Sequence, residues 1–313
     1  MTFDHSVNAA DIVRDALLLI GGVGEDEPVS GQATTDAIRS LNNMVKAWQN
    51  QGFHLWTRDE VVVFGVAGQE LYKLGPSDTH DHWAELDSDF IQTTVNGAIT
   101  SGVTVVVGSS TGMAQDDFIG IEQEDGTRHW TTIDNIVGTT LTIKTAITDT
   151  VADNASVFTY TARPQRPLRP LHARRSILDG NDVPMSIEPL EEYQDQPNKT
   201  TSGTPVFISF KPTLVASTLY VWQPPGSVKH LIKLTVESPI ADFDASSDEP
   251  NFPIEWAECL TYNLAVRLEP QYRQLDNLRR AELRASAELM LEEALMFDSD
   301  VGSWYLQPNM TDR

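Results

Sequence analysis

A chain of 313 residues with 40% hydrophobic content and 8% aromatics has the material for two or more buried cores, which excludes a disordered tail. Its 45 acidic against 22 basic residues leave a formal charge of -23, which excludes holding nucleic acid by general phosphate neutralisation. Cys259 is the single cysteine, which excludes a disulfide framework within the chain and a multi-thiolate metal site.

The acidity fits either ordinary solubility or a wall along which a polyanion slides without sticking. Met1 to Val7 carries Asp4 and no basic n-region, and no stretch approaches the roughly 18 apolar residues of a membrane span. A reducing cytoplasm without membrane contact is therefore expected.

Ile12, Ala16, Leu19 and Ile20 recur at helical spacing, with Asn8 placed to cap the start and Gly21-Gly22 to stop it. Ile38, Leu41, Val45 and Trp48 repeat the pattern up to Gly52, so Asn8 to Gln51 predicts a helical hairpin. After Phe53 the period changes. Val61 to Phe64 is β-branched and aromatic; Val103, Val105 and Val107, then Leu141 and Ile143, then Phe158 and Tyr160 alternate with partners on the other face. These runs predict a small antiparallel β module, with turns at Asp125-Gly126 and Asn135 to Gly138 and with Trp130 filling its interior.

The prolines between Arg163 and Pro170 predict an extended connector. Beyond it, Pro205 to Phe210, Thr218 to Trp222 and Leu231 to Val236 read as strands of a second β module, with Gln223-Pro224-Pro225-Gly226 as an abrupt turn. A helix opens at Phe252-Pro253, runs through Trp256, Leu260, Leu264 and Leu268, and is interrupted at Pro270. A last helix, Tyr272 to about Phe297, carries Leu278, Ala281, Ala285 and Leu289 on one stripe, expected to pack on the N-terminal hairpin or on a neighbouring subunit. Trp304, Tyr305 and Leu306 lie in a terminal stretch too short to bury them alone, which makes it a docking arm or a segment folded back on its own domain.

The expected fold class is therefore α+β: a helical bundle built from N- and C-terminal helices, with a large inserted antiparallel β region of two small β modules. Its parts are the hairpin 1-60, the first β module 61-162, the second 163-240, the C-terminal helices 241-298 and the arm 299-313.

Chemical motifs are sparse. Asp78-Thr79-His80-Asp81-His82 is the most metal-like cluster, but its spacing is that of a solvated loop as readily as of a cation site. Asp242 to Ser246 begins like a calcium loop and departs at Ser247 and Pro253, where glycine and an acid are needed, so an acidic linker with Asp248 and Glu249 near a helix start is expected instead. Gly21-Gly22-Val23-Gly24 lacks the Gly-Lys-Ser/Thr ending of a phosphate loop, and no Gly-x-Ser-x-Gly elbow is present. Cys259, inside a predicted helix with no basic neighbour, reads as a buried thiol. Arg163, Arg166, Arg169, Arg174 and Arg175 form a basic stretch suited to salt bridges between modules or subunits, to DNA phosphate, or to plain exposure.

Several stretches resemble the tail accessory or head-to-tail adaptor proteins of short-tailed phages, including the tubular-tail A type. They are "IVRDALLLIGGVGEDEPVSGQATTDAIRSLNNMVKAWQNQGFHLW" (12-56), "DDFIGIEQEDGTRHWTTI" (116-133), "RPLRPLHARR" (166-175) with "PNKTTSGTP" and "LYVWQPP", and "FPIEWAECLTYNLAVRLEPQY" (252-272). Their order along the chain also agrees with the family, and the opening and closing helical motifs are specific as a pair. The resemblance implies a non-enzymatic virion protein at the head-tail junction, assembled in the host cytoplasm. Such a protein forms a ring, commonly of twelve subunits to suit the portal, joins the portal to the short tail and lines part of the DNA channel. Implied partners are the portal, a downstream tail or nozzle protein, further copies of the chain, and genomic DNA that passes without sequence-specific binding. No cofactor, metal or catalytic residue is expected. Partner-binding candidates are Trp304, Tyr305 and Leu306 with the five arginines; Leu278, Ala281, Ala285 and Leu289 are the packing or interface candidates. Two rivals stay open: a tail-associated glycan or peptidoglycan hydrolase working through a carboxylate pair, and a receptor- or glycan-binding module presenting Trp83, Trp130 and Trp222.

Overall fold

The computed structural model describes residues 6-24, 26-51, 57-86, 89-177, 180-272 and 274-297. Among them are five helices, α1 (Ala9–Leu19), α2 (Gly31–Gln49), α3 (Leu190–Asp195), α4 (Ala257–Tyr272) and α5 (Asn277–Phe297), beside fourteen strands. This overturns the expected helical bundle with an inserted β region: the protein is mostly β, built on two barrel-like sheets with few helices. The Thr-, Val- and Gly-rich middle and the segment that follows the proline-punctuated connector both contribute strands, so β structure outweighs the helices at the chain ends.

Two compact units divide the chain, Met1–Thr57 with Ile240–Arg313, and Arg58–Pro239. The first holds α1, α2, α4 and α5. Asn8 accepts from the Asp11 amide and Asp11 returns a bond from the Asn8 amide, a capping box that satisfies two otherwise orphaned donors. Gly21, at φ 64°, turns the chain out of α1 in the left-handed conformation that a side chain resists. The acidic linker closes on the start of α1: Asp248 and Ser246 carbonyls accept from Ala9 and Ala10 at 2.8 and 2.9 Å, while the Asp248 carboxylate holds the Asp244 and Ala245 amides.

Helix α4 is the centre of this unit and packs against α1, α2 and α5. Its buried Cys259, Leu260, Leu264, Ala265 and Leu268 join Ile12, Ala16, Leu17, Leu41, Met44 and Val45 in one core. A single 3-10 turn, Ile254–Trp256, leads into α4 and places Trp256 with its ring 6.0 Å from that of Trp48 and 5.7 Å from that of Phe252. Pro270 does not interrupt α4, which runs on to Tyr272; α5 accordingly starts at Asn277 and not at Tyr272. Glu269, 3% exposed, ties the two helices by accepting from Arg280 at 2.7 Å and from the Leu275 amide at 2.9 Å. Leu19 is another departure, 42% exposed at the end of α1.

In the second unit, β1 (Arg58–Phe64), β2 (Leu71–Leu74) and β3 (Trp83–Glu85) pair with β10 (Arg169–Ile177), β11 (Val183–Glu188), β12 (Phe207–Pro212), β13 (Ser217–Trp222) and β14 (His230–Glu237). Their order is β2-β13-β12-β11-β10-β14-β1-β3, with only β11 and β12 parallel. The edges β2 and β3 approach through an Asp81 amide donating to the Lys73 carbonyl at 3.1 Å. Inside lie Val61, Val63, Tyr72, Leu74, Trp83, Ile208, Leu219, Ile232 and Leu234.

The other sheet takes β4 (Ile91–Thr94), β5 (Gly102–Val106), β6 (Phe118–Glu122), β7 (Arg128–Val137), β8 (Thr140–Ile147) and β9 (Ser156–Tyr160) in the order β4-β9-β6-β7-β8-β5. A Val95-Val107 bridge joins its two edges and closes the sheet on itself. Val105, Val107, Ile119, Ile121, Ile133, Leu141, Ile143 and Val157 fill the interior. Val103 does not: a register shift between Gly102 and Thr104 against β8 turns it outward, 41% exposed. Trp130 is likewise absent from this interior. It lies on the outer face of β7, flat across Gly120, where an added Cβ would meet the indole at 2.6 Å.

Candidate functional site

The outer faces of the two sheets meet through Val62, Phe64, Ala84, Phe158, Tyr160 and Leu231, with Phe90, Phe118 and Trp130 around them. Both faces of β9 are consequently buried, one against its own barrel and one against this joint. Phe64 is its hub: the rings of Phe90, Trp130, Phe158 and Tyr160 lie 5.7, 5.0, 5.3 and 5.8 Å from it. Such offset and tilted pairs each contribute about 0.5–1.5 kcal/mol beyond the area they bury.

Polar groups are threaded through this apolar joint. His82 stacks on Trp130 at 3.8 Å and 3°, and its Nδ1 meets the Tyr160 hydroxyl at 2.6 Å. Burial, aided by the charge of Arg163, pushes the His82 pKa down to about 3, and burial pushes the Tyr160 phenol up, so the pair is neutral near pH 7. Arg163 is 7% exposed, its guanidinium 4.4 Å over the Phe118 ring and 2.8 Å from Asp78. Arg128 lies 4.1 Å over Phe158 and donates to the Val228 carbonyl at 3.1 Å and the Ser156 hydroxyl at 3.0 Å, stitching strands of one sheet to a loop of the other. Burial lowers Arg128 to about 10, which still leaves it charged at neutral pH.

A pH dependence follows from His82. Below pH 6.5 the unfolded chain takes up a proton that the folded site refuses, so stability falls as pH drops from 6.5 toward 3. Between pH 7 and pH 5 the wild type is expected to lose about 2 kcal/mol more than His82→Gln in urea titrations. Equal losses in the two proteins would contradict the neutral stacked imidazole.

Of the five sequence-selected arginines, four bond within this unit. Arg169 grips Glu237, its cross-strand partner, with two bonds of 2.6 Å. Arg174 donates to Glu60 at 2.7 Å and faces Asp182 at 3.8 Å, which Lys233 also reaches at 2.9 Å. Arg175 donates to the Pro205 carbonyl, and Arg163 is spent on Asp78. Arg166 is half-buried and has no ion-pair partner among the described residues. Strand β10 begins at Arg169, so the expected connector ends at Leu168; Arg169 and Arg174 are matched by carboxylates and Arg175 by a backbone carbonyl.

The Asp78 to His82 cluster diverges: Asp78 goes to Arg163, Asp81 to the Lys73 amide at 2.6 Å and Gln69 at 2.7 Å, and His82 to Tyr160. Cys259 is buried in α4 and pushed up to about 12, which keeps it a thiol. A cleft of about 460 Å³ gathers Glu122, Glu124, Asp153 and Lys229. Burial there works against ionisation of Glu122, but the Ser156 hydroxyl at 2.7 Å and Lys229 at 3.4 Å outweigh it and hold the carboxyl below its usual range. That is the state of a salt-bridged carboxylate, not of a proton donor. Trp83 is fully buried, and Trp222 stacks on Phe207 at 5.2 Å.

On α5 the stripe Leu278, Ala281, Ala285 and Leu289 does not pack on the hairpin. Leu278 is 70% and Leu289 51% exposed, and both alanines are exposed. The inward face is Leu283, Ala287, Met290, Leu291 and Ala294. Trp304, Tyr305 and Leu306 lie outside the described residues. Arg128 was not singled out by sequence; its place two residues before Trp130, on the same face of one strand, was the available signal.

Compared with protein-family models and with curated proteins, the chain matches none. Among solved structures it is similar to VP17, a capsid protein of bacteriophage P23-77, at 13% identity and a TM-score of 0.15, over 61% of this chain and 77% of that one. A likeness at that level carries no argument, and the protein it reaches is a capsid protein, not a head-to-tail adaptor.

Proposed function

We propose that this chain is a structural protein of a tailed-phage particle, a non-enzymatic ring-forming adaptor that joins the portal to a short tail. What supports the reading is the meeting of two sequence motifs far apart in the chain. The opening stretch, through Ile12, Leu41 and Trp48, and the closing stretch, through Trp256, Leu260 and Leu264, share one core. These are the stretches that resemble the adaptor family as a pair. A ring of copies, commonly twelve in that family, would enclose a passage whose acidity keeps DNA from adhering, in keeping with a charge of -23. Ring closure needs two different lateral surfaces related by the right rotation.

The test is to mix the purified chain with portal complexes and weigh the product by native mass spectrometry. A stoichiometric complex, one chain per portal subunit, is expected. No stoichiometric binding across the salt range in which both components stay soluble would count against the adaptor role.

A further inference from the structure

The single Asn-Gly pair of the chain, Asn96-Gly97, lies between β4 and β5, next to the bridge that closes their sheet. The backbone is clamped on both sides of it. Upstream, the Val95 N–H donates to the Ala155 carbonyl at 2.9 Å and the Asn96 N–H to the Val106 carbonyl at 2.8 Å; downstream, Ile99 and Val151 exchange bonds of 3.0 and 2.8 Å. Asn96 is exposed, and its side-chain amide makes no hydrogen bond among the described residues. Gly97, exposed and at φ 92°, brings no side chain to shield its own nitrogen. An exposed, unbonded asparagine amide followed by an unshielded peptide nitrogen is the arrangement in which that nitrogen attacks the side-chain carbon. One contact opposes the attack. The Gly97 N–H donates to Asp153 Oδ1 at 2.8 Å, and Asn154 Nδ2 holds the other oxygen of that carboxylate at 2.9 Å.

We infer that Asn96 is a latent site of spontaneous deamidation and that Asp153 protects it by keeping the Gly97 N–H engaged. In the reaction the Gly97 nitrogen gives up its proton and bonds to Asn96 Cγ; the Cγ–Nδ2 bond breaks, and Nδ2 leaves as ammonia with that proton. Water then opens the cyclic imide, its hydroxyl going to one of the two carbonyl carbons and its hydrogen to the Gly97 nitrogen. The net change is asparagine plus water to aspartate or isoaspartate plus ammonia. The first step requires the bond to Asp153 to break, and a carboxylate beside the nitrogen opposes the anion that attacks. The isoaspartyl product has one extra main-chain carbon between the two clamps and a new carboxylate near Asp153, which loosens the closure of the sheet. The inference does not rest on the adaptor reading.

Ageing the full chain at mildly alkaline pH and body temperature, with peptide-mapping mass spectrometry to follow Asn96, tests it. The folded wild type is expected to convert Asn96 at least tenfold more slowly than the same chain unfolded in guanidinium. Asp153→Ser should remove most of that protection, and Asp153→Asn, which keeps an oxygen acceptor in the same place, should restore part of it. Hydrogen exchange at the Gly97 N–H reads the contact directly and should be faster in Asp153→Ser than in the other two proteins. Aged Asp153→Ser should melt earlier than the fresh protein, whereas Asp153→Ser with Asn96→Ser, which cannot form the imide, should age without that loss. Equal conversion of Asn96 in folded wild type and folded Asp153→Ser overturns the inference. So does a wild type whose Gly97 N–H exchanges without protection or whose Asn96 converts as fast folded as unfolded; these two results decide the matter even where Asp153→Ser fails to fold.

Discussion

Replacing Trp256 by alanine is expected to cost the helical unit about 3–5 kcal/mol, the range for emptying a fully packed aromatic site. Trp256 is 1% exposed and sits between Trp48 and Phe252, where α4 begins and the opening and closing segments meet. Against a total stability of about 5–15 kcal/mol for a typical domain, such a loss unfolds a large fraction of the unit near body temperature. Urea titration followed by ellipticity at the helix minimum reads it. Trp256→Phe, which keeps most of the ring, should cost clearly less. A shift below about 1 kcal/mol for the alanine variant would mean that Trp256 is not where the two segments are joined.

Phe64→Ala is expected to be as severe in the β unit, again about 3–5 kcal/mol, because one ring is shared by four others at the joint between the sheets. The near-ultraviolet circular dichroism of Trp130 and Tyr160 should collapse with it, since both lose a face. Phe64→Leu refills much of the volume and should recover part of the stability without the ring contacts. Equal costs for alanine and leucine would show that the aromatic geometry adds nothing beyond its size.

The elements that were legible are those whose signals are local. Asn8, Asp11 and Gly21 bracket α1 within one stretch of chain, and the period of Ile38, Leu41, Val45 and Trp48 carries α2. Strand β10 was hard to read because its arginines suit salt bridges, phosphate contacts or plain exposure alike until Glu60, Asp182 and Glu237 arrive from elsewhere in the chain. The expected connector covers Arg163 to Pro170 and overlaps β10 only at Arg169 and Pro170; the remainder of that strand was not expected from sequence.

Periodicity also names faces without saying which one is covered. Trp130 sits on one face of β7 and Ile133 on the other, and both are sheltered because a second sheet packs outside the barrel. On α5 two apolar stripes coexist, and the one chosen from sequence is the one in solvent. His82 looked like part of a local cluster, yet its partner is Tyr160, 78 residues further on.

An image reconstruction of the virion that carries this chain tests the adaptor account most directly. The account predicts a closed ring directly below the portal, one copy per portal subunit, with the helices of α1, α2, α4 and α5 resolved in each wedge and a channel through the centre. Copies found in the lattice of the capsid shell, or no ring at the junction between head and tail, would contradict it.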